Sequence, residues 1–598
     1  MQSSTAVPAS GHGTGSATIA DLIGSAARQF GDRVAVRHKA DGAWHDVSYA
    51  ELGEIVSEIG RGLIDLGIRP GDRVSLLSTT RPEWSYVDFG ITSAGAVVVP
   101  IYPTNSPEEC EWVAGNSESR AIVCENAEQL AKIAAVRDRL PDLETVVVID
   151  PSGDTGGAVP LEEVRARGRA RDAAELEERA RAVTREDTYT IIYTSGTTGP
   201  PKGCVLSHGN YRDVVTMCEH QEALEPGEVV YLFLPLAHSF ALLIQLAAFD
   251  LGSTIAYFSG DPKQILSELS EVRPTYIPSV PRIFEKLYTA VTAHGDPQLI
   301  AGATKVGLAV RGLRAQGQPV PADLQAHFDE AEEKLYRNVR AAFGGNLRQA
   351  VTGAAPIAKE ILEFFFACGV PVLEGYGMTE TATVATNSTL AHHRLGSVGC
   401  ALPGQEIRIA DDGEVLLKGP NIFQGYWKND DASFGAVVDG WLHTGDLGRL
   451  DDDGYLYITG RKKDIIITSG GKNITPANAE NDLKQSRWIS QAVMYGDRRP
   501  YPVALLTLDP EEIVHFAREH GLPEDPAALA REPKVRELVQ SVVDGVNERY
   551  AQPERIKRFH LLEHDFSQET GELTPTLKVK RNVITEKYAA ELDALYAD

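Results

Sequence analysis

The stretch YTSGTTGPPKGCVLSHGN, Tyr193 to Asn210, gathers hydroxyls and glycines into a few residues and then presents one lysine. Gly196 and Gly199 let backbone N–H groups approach phosphate oxygens, and Thr194, Ser195, Thr197 and Thr198 add hydroxyl donors. Such a loop is suited to hold an anion. It departs from the commonest phosphate cradle, in which lysine directly follows the second glycine of GxxxxGK[ST] and opens a helix. Here two prolines separate Gly199 from Lys202, fixing φ and removing N–H donors. The stretch therefore reads as an anion-holding turn that is not a helix-opening cradle, entered from the apolar strand TYTIIYT.

YTSGTTGPPKG resembles the signature of the adenylate-forming (AMP-binding) superfamily of acyl-CoA synthetases, luciferases and peptide-synthetase adenylation domains. Further stretches resemble that family's motifs in the same order. LPLAHSF (Leu234–Phe240) resembles the segment whose histidine, here His238, faces the carboxylate substrate. VTGAAP, with Gly353, Ala354 and Ala355, resembles the turn along adenine. EGYGMTET (Glu374–Thr381) implies that Tyr376 stacks on adenine beside Gly377, Thr379 donates to phosphate, and Glu380 holds Mg²⁺ together with Thr194. A hard oxygen ligand is what a nucleotide-borne magnesium needs.

In GWLHTGDLG the resemblance makes Asp446 the acceptor for both ribose hydroxyls, and in TGRKKDIIITSGGKNITP it makes Arg461 a ribose or phosphate ligand. Lys463 then occupies the hinge, and Ser469, Gly470, Gly471 and Lys472 line a CoA tunnel. LTPTLKVKR (Leu573–Arg581) resembles the terminal motif whose lysine drives adenylation. By register that is Lys578, with Lys580 the alternative, because Leu577 stands where the commoner pattern has glycine. The set looks most like bacterial long-chain fatty-acid–CoA ligases.

The resemblance thus implies ATP, Mg²⁺ and CoA as reactants and a fatty acid as substrate. A fatty acyl-AMP ligase loading a carrier protein, a ligase for another carboxylic acid, and a catalytically silent nucleotide- or lipid-binding module are the alternatives. Acyl chain length is not legible.

A chain of 598 residues exceeds the size at which one core stops growing, about 250–300 residues, so more than one domain is expected. A net charge of −26 argues against nucleic acid or an anionic membrane surface as the main partner. Six scattered cysteines without CxxC spacing suit a reduced, cytoplasmic chain, with membrane contact at most peripheral and oligomeric state open. FALLIQLAAF, the longest apolar run, is too short for a bilayer, which needs about 20 residues.

Helical periodicity (Glu51–Ile68) alternating with short β-branched strands predicts an α/β fold with doubly wound sheets. Leu161–Asp187 reads as a solvated helix and linker, and Pro297–Phe343 as a helical excursion on the surface. Asp-Gly turns at 412–413, 439–440 and 453–454 predict hairpins, a β-barrel-like part at about 396–459. The expected units are a disordered tail at 1–16, a large N-terminal domain at 17–461 and a smaller mobile α+β C-terminal domain at 462–598, with the hinge near 461–464.

Overall fold

The computed structural model describes residues 7–8, 10–194, 200–292, 296–574 and 578–597. The loop residues Ser195, Gly196, Thr197, Thr198 and Gly199 lie outside them.

Two doubly wound sheets form the large domain. One has nine strands, in the order Cys400–Ala401, Thr386–Asn387, Val372–Tyr376, Gln349–Thr352, Tyr276–Ser279, Val229–Leu232, Thr254–Tyr257, Val34–Ala40 and Ala43–Ser48. The other has eight, in the order Gly425–Tyr426, Lys202–Ser207, Thr188–Thr194, Val97–Ile101, Arg73–Leu77, Ser119–Cys124, Thr145–Val148 and Val159–Pro160. The nine-stranded sheet is parallel in the middle and antiparallel at both edges, whereas the eight-stranded one is antiparallel at its Gly425–Tyr426 edge and parallel through to Val159–Pro160. Parallel strands need crossover helices on both faces, which is why their sequences read as unbroken apolar runs.

Helix boundaries follow local chemistry. Ser48 caps helix Tyr49–Asp65 and Ser207 caps His208–His220, each through a reciprocal capping box. Helix Ser239–Asp250, which contains the FALLIQLAAF run, is apolar all round and buried almost throughout between the sheets. The 161–187 segment forms two helices. The first does more than shield charge: Gly168 and Gly62 let it pack backbone to backbone on Tyr49–Asp65, since a Cβ on either would overlap a carbonyl of the other helix.

All three Asp-Gly pairs turn hairpins of a five-stranded antiparallel sheet. Asp439 and Gly440 both have positive φ, 51° and 80°, the mirror-image turn that fits strand twist. In the C-terminal region, Ile489–Tyr495, Val503–Leu508 and Arg558–Leu561 make a three-stranded sheet over its own core.

Of the tail expected at 1–16, residues 1–6 and 9 lie outside the described residues, and the rest makes contacts with the large domain. Val7 N–H donates to Asp213 Oδ1 at 3.1 Å, Thr14 N–H to Asp250 Oδ1 at 3.2 Å, and Ser10 hydroxyl to Glu219. Ser16 is buried. Composition favours disorder here, but three buried carboxylates need donors, and a segment rich in hydroxyls and bare amides supplies them.

Candidate active site

The two sheets present the site at different kinds of edge. In the nine-stranded sheet it lies at the carboxyl ends of Gln349–Thr352 and Val372–Tyr376, where open α/β sheets carry ligands. Gly353, Ala354 and Ala355 turn there, with Ala354 held at φ 68° and the two alanines exposed. An ideal Cβ on Gly353 would lie 3.1 Å from the Gly375 carbonyl, so the two strand ends touch through backbone. Gly377 likewise has no room for a side chain against Thr383 and Val384.

Thr379, Glu380 and Thr381 form a single tight turn, followed by Ala382 and Thr383, both at positive φ (47° and 100°). Such backbone persists only where its surroundings over-determine it. Thr383 Oγ1 donates to the Ser239 carbonyl at 2.7 Å, and buried Asn421 Nδ2 donates to the carbonyls of Thr381 (2.9 Å) and Val384 (2.8 Å).

In the eight-stranded sheet the phosphate stretch is a strand–loop–strand. Thr188–Thr194 pairs antiparallel with Lys202–Ser207, and the helix begins only at His208. The register Thr194↔Lys202, Ile192↔Cys204 and Cys204↔Tyr426 sets Thr194, Lys202, Cys204 and Tyr426 on one face. Tyr426 hydroxyl donates to Glu380 Oε1 at 2.7 Å, and Lys202 Nζ lies 5.1 Å from the centroid of its ring. Trp112 Nε1 donates to the Pro201 carbonyl at 2.9 Å, holding the exit of the loop.

The long strand Trp441–Leu450 and its neighbour Leu456–Arg461 place Asp446 opposite Arg461. Arg461 Nε donates to Asp446 Oδ1 at 2.8 Å, and Tyr376 hydroxyl donates to Oδ2 at 2.8 Å. The second contact fixes the plane of the Tyr376 ring. Each carboxylate oxygen keeps a second lone pair, so Asp446 can accept ribose hydroxyls beside these partners.

His238 caps helix Ser239–Asp250, its Nδ1 accepting from Phe240 N–H at 3.2 Å. Burial, and then the charge of Lys578, push its pKa down to about 3. The ring is therefore neutral near pH 7, and with Nδ1 an acceptor its proton sits on Nε2.

Lys578 arrives from the far end of the chain. Thr574 N–H donates to the Lys578 carbonyl at 2.8 Å, and Lys578 N–H to Thr574 Oγ1 at 3.0 Å, closing a loop. Arg581 anchors that loop with two 2.8 Å hydrogen bonds to Glu480 and one of 2.9 Å to the Met494 carbonyl. The lysine is exposed to solvent at its surface but closely flanked by protein. Desolvation, and then the Arg461 charge, hold its pKa below the ordinary lysine value, while Asp446 and Glu380 act in the opposite direction. Lys580 instead donates its backbone N–H to the Glu572 carbonyl at 2.7 Å.

Glu380, Asp446, Arg461, His238 and Lys578 thus form one cluster, with Thr194, Lys202 and Tyr376 beside it. The residues expected at the hinge and the CoA tunnel stand outside it. Exposed Lys463 follows Lys462, whose Nζ pairs with Asp412 and Glu414 of the large domain, and precedes Asp464, which faces Arg581 at 3.9 Å. Ser469, Gly470, Gly471 and Lys472 turn a short hairpin held within the C-terminal region: Ser469 N–H donates to the Arg499 carbonyl at 2.9 Å and Lys472 pairs with Glu554 at 2.9 Å.

Sequence reasoning missed Tyr426, Cys204 and Trp112. Tyr426 lies in PNIFQGYWKN, a conspicuous stretch, but nothing local to it tells that it pairs with the phosphate-loop strand.

The family model for AMP-binding enzymes matches residues 24–427, and that for the AMP-binding enzyme C-terminal domain matches 463–598. The chain belongs to the AMP-binding enzyme family. Among similar proteins, one named long-chain-fatty-acid–CoA ligase FadD15 from Mycobacterium bovis is 39% identical over 586 residues, spanning 97% of both chains. One named long-chain-fatty-acid–CoA ligase ACSBG2 from Xenopus laevis is 33% identical over 97% of this chain and 84% of its own. The fold is also that of an anthranilate CoA ligase, AuaEII, solved with anthranoyl-AMP: TM-score 0.74, 22% identity, covering 96% of this chain and 98% of the other. An O-succinylbenzoate CoA synthetase from Bacillus subtilis, solved with ATP and magnesium, gives TM-score 0.68 at 22% identity, covering 94% and 98%.

Proposed function

We propose that this member of the family is an ATP-dependent long-chain fatty-acid–CoA ligase. It joins a fatty acid to AMP with release of pyrophosphate, then passes the acyl group to CoA with release of AMP. The observation that carries the reading is Lys578, brought from the C-terminal region to a cleft where Glu380, Asp446, Arg461 and neutral His238 already converge.

The residues divide the work. Asp446 takes the ribose hydroxyls, Tyr376 with Gly353, Ala354 and Ala355 flanks the adenine, and Thr379 with Lys202 and the loop Ser195–Gly199 holds phosphate. The donor set suits magnesium: among the described residues no group of three or more His, Cys, Asp or Glu could hold an ion unaided. One carboxylate, Glu380, with the Thr194 hydroxyl, is what an ion carried by nucleotide phosphates requires. Magnesium, when bound, neutralises charge on the leaving pyrophosphate.

In the first step a carboxylate oxygen bonds to the α-phosphorus and the bond to pyrophosphate breaks. Two anions must meet, so positioning and cations supply the rate. Lys578 bridges them, and the His238 Nε2–H orients the carboxylate without adding charge. In the second step the CoA sulfur bonds to the acyl carbon and AMP leaves with the C–O electron pair. For that step the units 17–461 and 462–598 turn about Lys463, withdrawing Lys578 and bringing in Ser469–Lys472.

Six free thiols, four of them buried, support a cytoplasmic setting. Among the described residues no helix is long and apolar enough to cross a membrane. The test is pyrophosphate release across carboxylic acids of graded chain length, with and without CoA. Long-chain acids are expected to give the fastest release, with AMP freed only when CoA is present. Release with short or aromatic acids alone, or AMP release only with a carrier protein, overturns the reading.

A further inference from the structure

We propose that Tyr426 is a positioning residue that sets Glu380 and Lys202 in register for the magnesium–nucleotide complex. The inference rests on Glu380 being the magnesium ligand.

Tyr426 sits on a two-residue edge strand, Gly425–Tyr426, paired with Val205 and Cys204. The strap leading to it is fastened on both sides. Asn210 Nδ2 donates to the carbonyls of Pro420 (2.8 Å) and Ile422 (2.9 Å), while Phe423 N–H donates to the Glu380 carbonyl at 2.9 Å. Beyond it, Trp427 N–H donates to the Gly203 carbonyl at 2.7 Å, and its indole Nε1 to the Asn116 carbonyl at 3.1 Å. The tyrosine is thus held by the backbone of the very elements that carry Glu380 and Lys202.

Its ring then does two things at once. The hydroxyl donates to one carboxylate oxygen of Glu380, which fixes the rotamer of a group that must present an oxygen to the cation. The face of the ring lies under the Lys202 ammonium, 5.1 Å from centroid to nitrogen, an attraction that restrains the cation without neutralising it. An acidic residue there would cancel the lysine and compete for the metal, and an aliphatic one would leave both side chains to their rotamer freedom. A phenol serves both anion and cation with no net charge.

Calorimetric ATP affinity, measured with magnesium and with chelator and no acid substrate, tests the two contacts separately. Tyr426→Phe removes one oxygen and keeps the ring. It is expected to cut the gain that magnesium adds to ATP affinity by about tenfold, the scale of one hydrogen bond to a charged group, with metal-free affinity unchanged. Tyr426→Leu is expected also to weaken metal-free ATP by about fivefold, through loss of the cation–π contact. A Tyr426→Phe protein with the wild-type magnesium gain overturns the proposal, as does a Tyr426→Leu protein with wild-type metal-free affinity. If magnesium adds nothing to the wild-type affinity, the Glu380 assignment falls and this inference with it. The phenylalanine variant carries the first arm even if the leucine variant fails to fold.

Discussion

Lys578→Ala separates the two half-reactions. In the proposed mechanism the lysine is the cation delivered to the meeting point of a carboxylate and a phosphate, and its charge lowers the pKa of His238. Two unit charges about 4 Å apart interact by about 4 kcal/mol at an effective dielectric near 20. Arg461 and Lys202 remain in the cleft of the variant, so one such interaction, rather than the sum over both anions, is the appropriate loss. That corresponds to about a thousandfold in rate.

The assay measures pyrophosphate release in single turnover, and separately thioester formation from supplied acyl-AMP. Adenylation is expected to fall about a thousandfold, and thioester formation to stay within about threefold, because in the proposed mechanism the C-terminal domain turns Lys578 away for that step. Lys580→Ala should leave adenylation within about threefold, since Lys580 is held through its backbone at Glu572. Equal loss in both half-reactions, or a larger loss from Lys580→Ala, refutes the argument.

Three further outcomes follow. Arg282 Nη2 pairs with Asp509 Oδ2 at 3.2 Å, linking helix Pro281–Thr292 to the cap of Pro510–His520 across the domains. Arg282→Ala should slow adenylation about fivefold and spare thioester formation, on the scale of about 1 kcal/mol for a half-exposed pair, and equal loss of both would contradict this. His208, 2% exposed with Nδ1 accepting from Ile19 N–H at 3.2 Å, has its pKa pushed down to about 4 by burial. The unfolded chain binds that proton more readily, so stability falls as pH drops from about 6.5 toward 4, by up to about 3 kcal/mol from this site. His208→Asn should flatten that part of the pH–stability curve, and parallel curves would discount the site. Gly168→Ala should cost about 2 kcal/mol or more in denaturant unfolding, because its Cβ meets the Glu58 carbonyl. A gain in stability, as helix propensity alone would predict, would show that the two helices separate easily.

The motifs that carry the proposed site are local in the sequence, and for a physical reason. A phosphate clamp, a ribose carboxylate and a terminal lysine each need several residue types within one turn or hairpin, so each leaves a compact trace. Doubly wound sheets were legible because parallel strands buried on both faces are continuously apolar. What was not legible depends on register between distant strands. That Tyr426 lies opposite Cys204 follows from one short antiparallel pairing, and a slip of one residue would turn its side chain to the other face. The contacts of the described tail residues were not legible for a related reason: the demand for hydrogen-bond donors comes from buried Asp213, Glu219 and Asp250, far along the chain. The charged 161–187 segment concealed a glycine contact because hydropathy does not register backbone approach.

The same distinction between local and distant contacts narrows where the domains can turn. Lys462 is fastened to Asp412 and Glu414, so it moves with the large domain. Asp464 faces Arg581, which is itself clamped to Glu480, so these move with the C-terminal domain and carry Lys578 with them. Between the two fastenings stands exposed Lys463, and in the proposed mechanism the rotation is absorbed by its φ and ψ. Proline fixes φ near −65° and restricts the preceding residue, so Lys463→Pro should hold the arrangement in which Lys578 sits in the cleft. Pyrophosphate release in single turnover should stay within about fivefold, while thioester formation from supplied acyl-AMP falls at least about a hundredfold. This is the reverse of the Lys578→Ala pattern. A Lys463→Pro protein that forms thioester at the wild-type rate would show that the rotation does not pass through the φ of Lys463, because proline locks that angle.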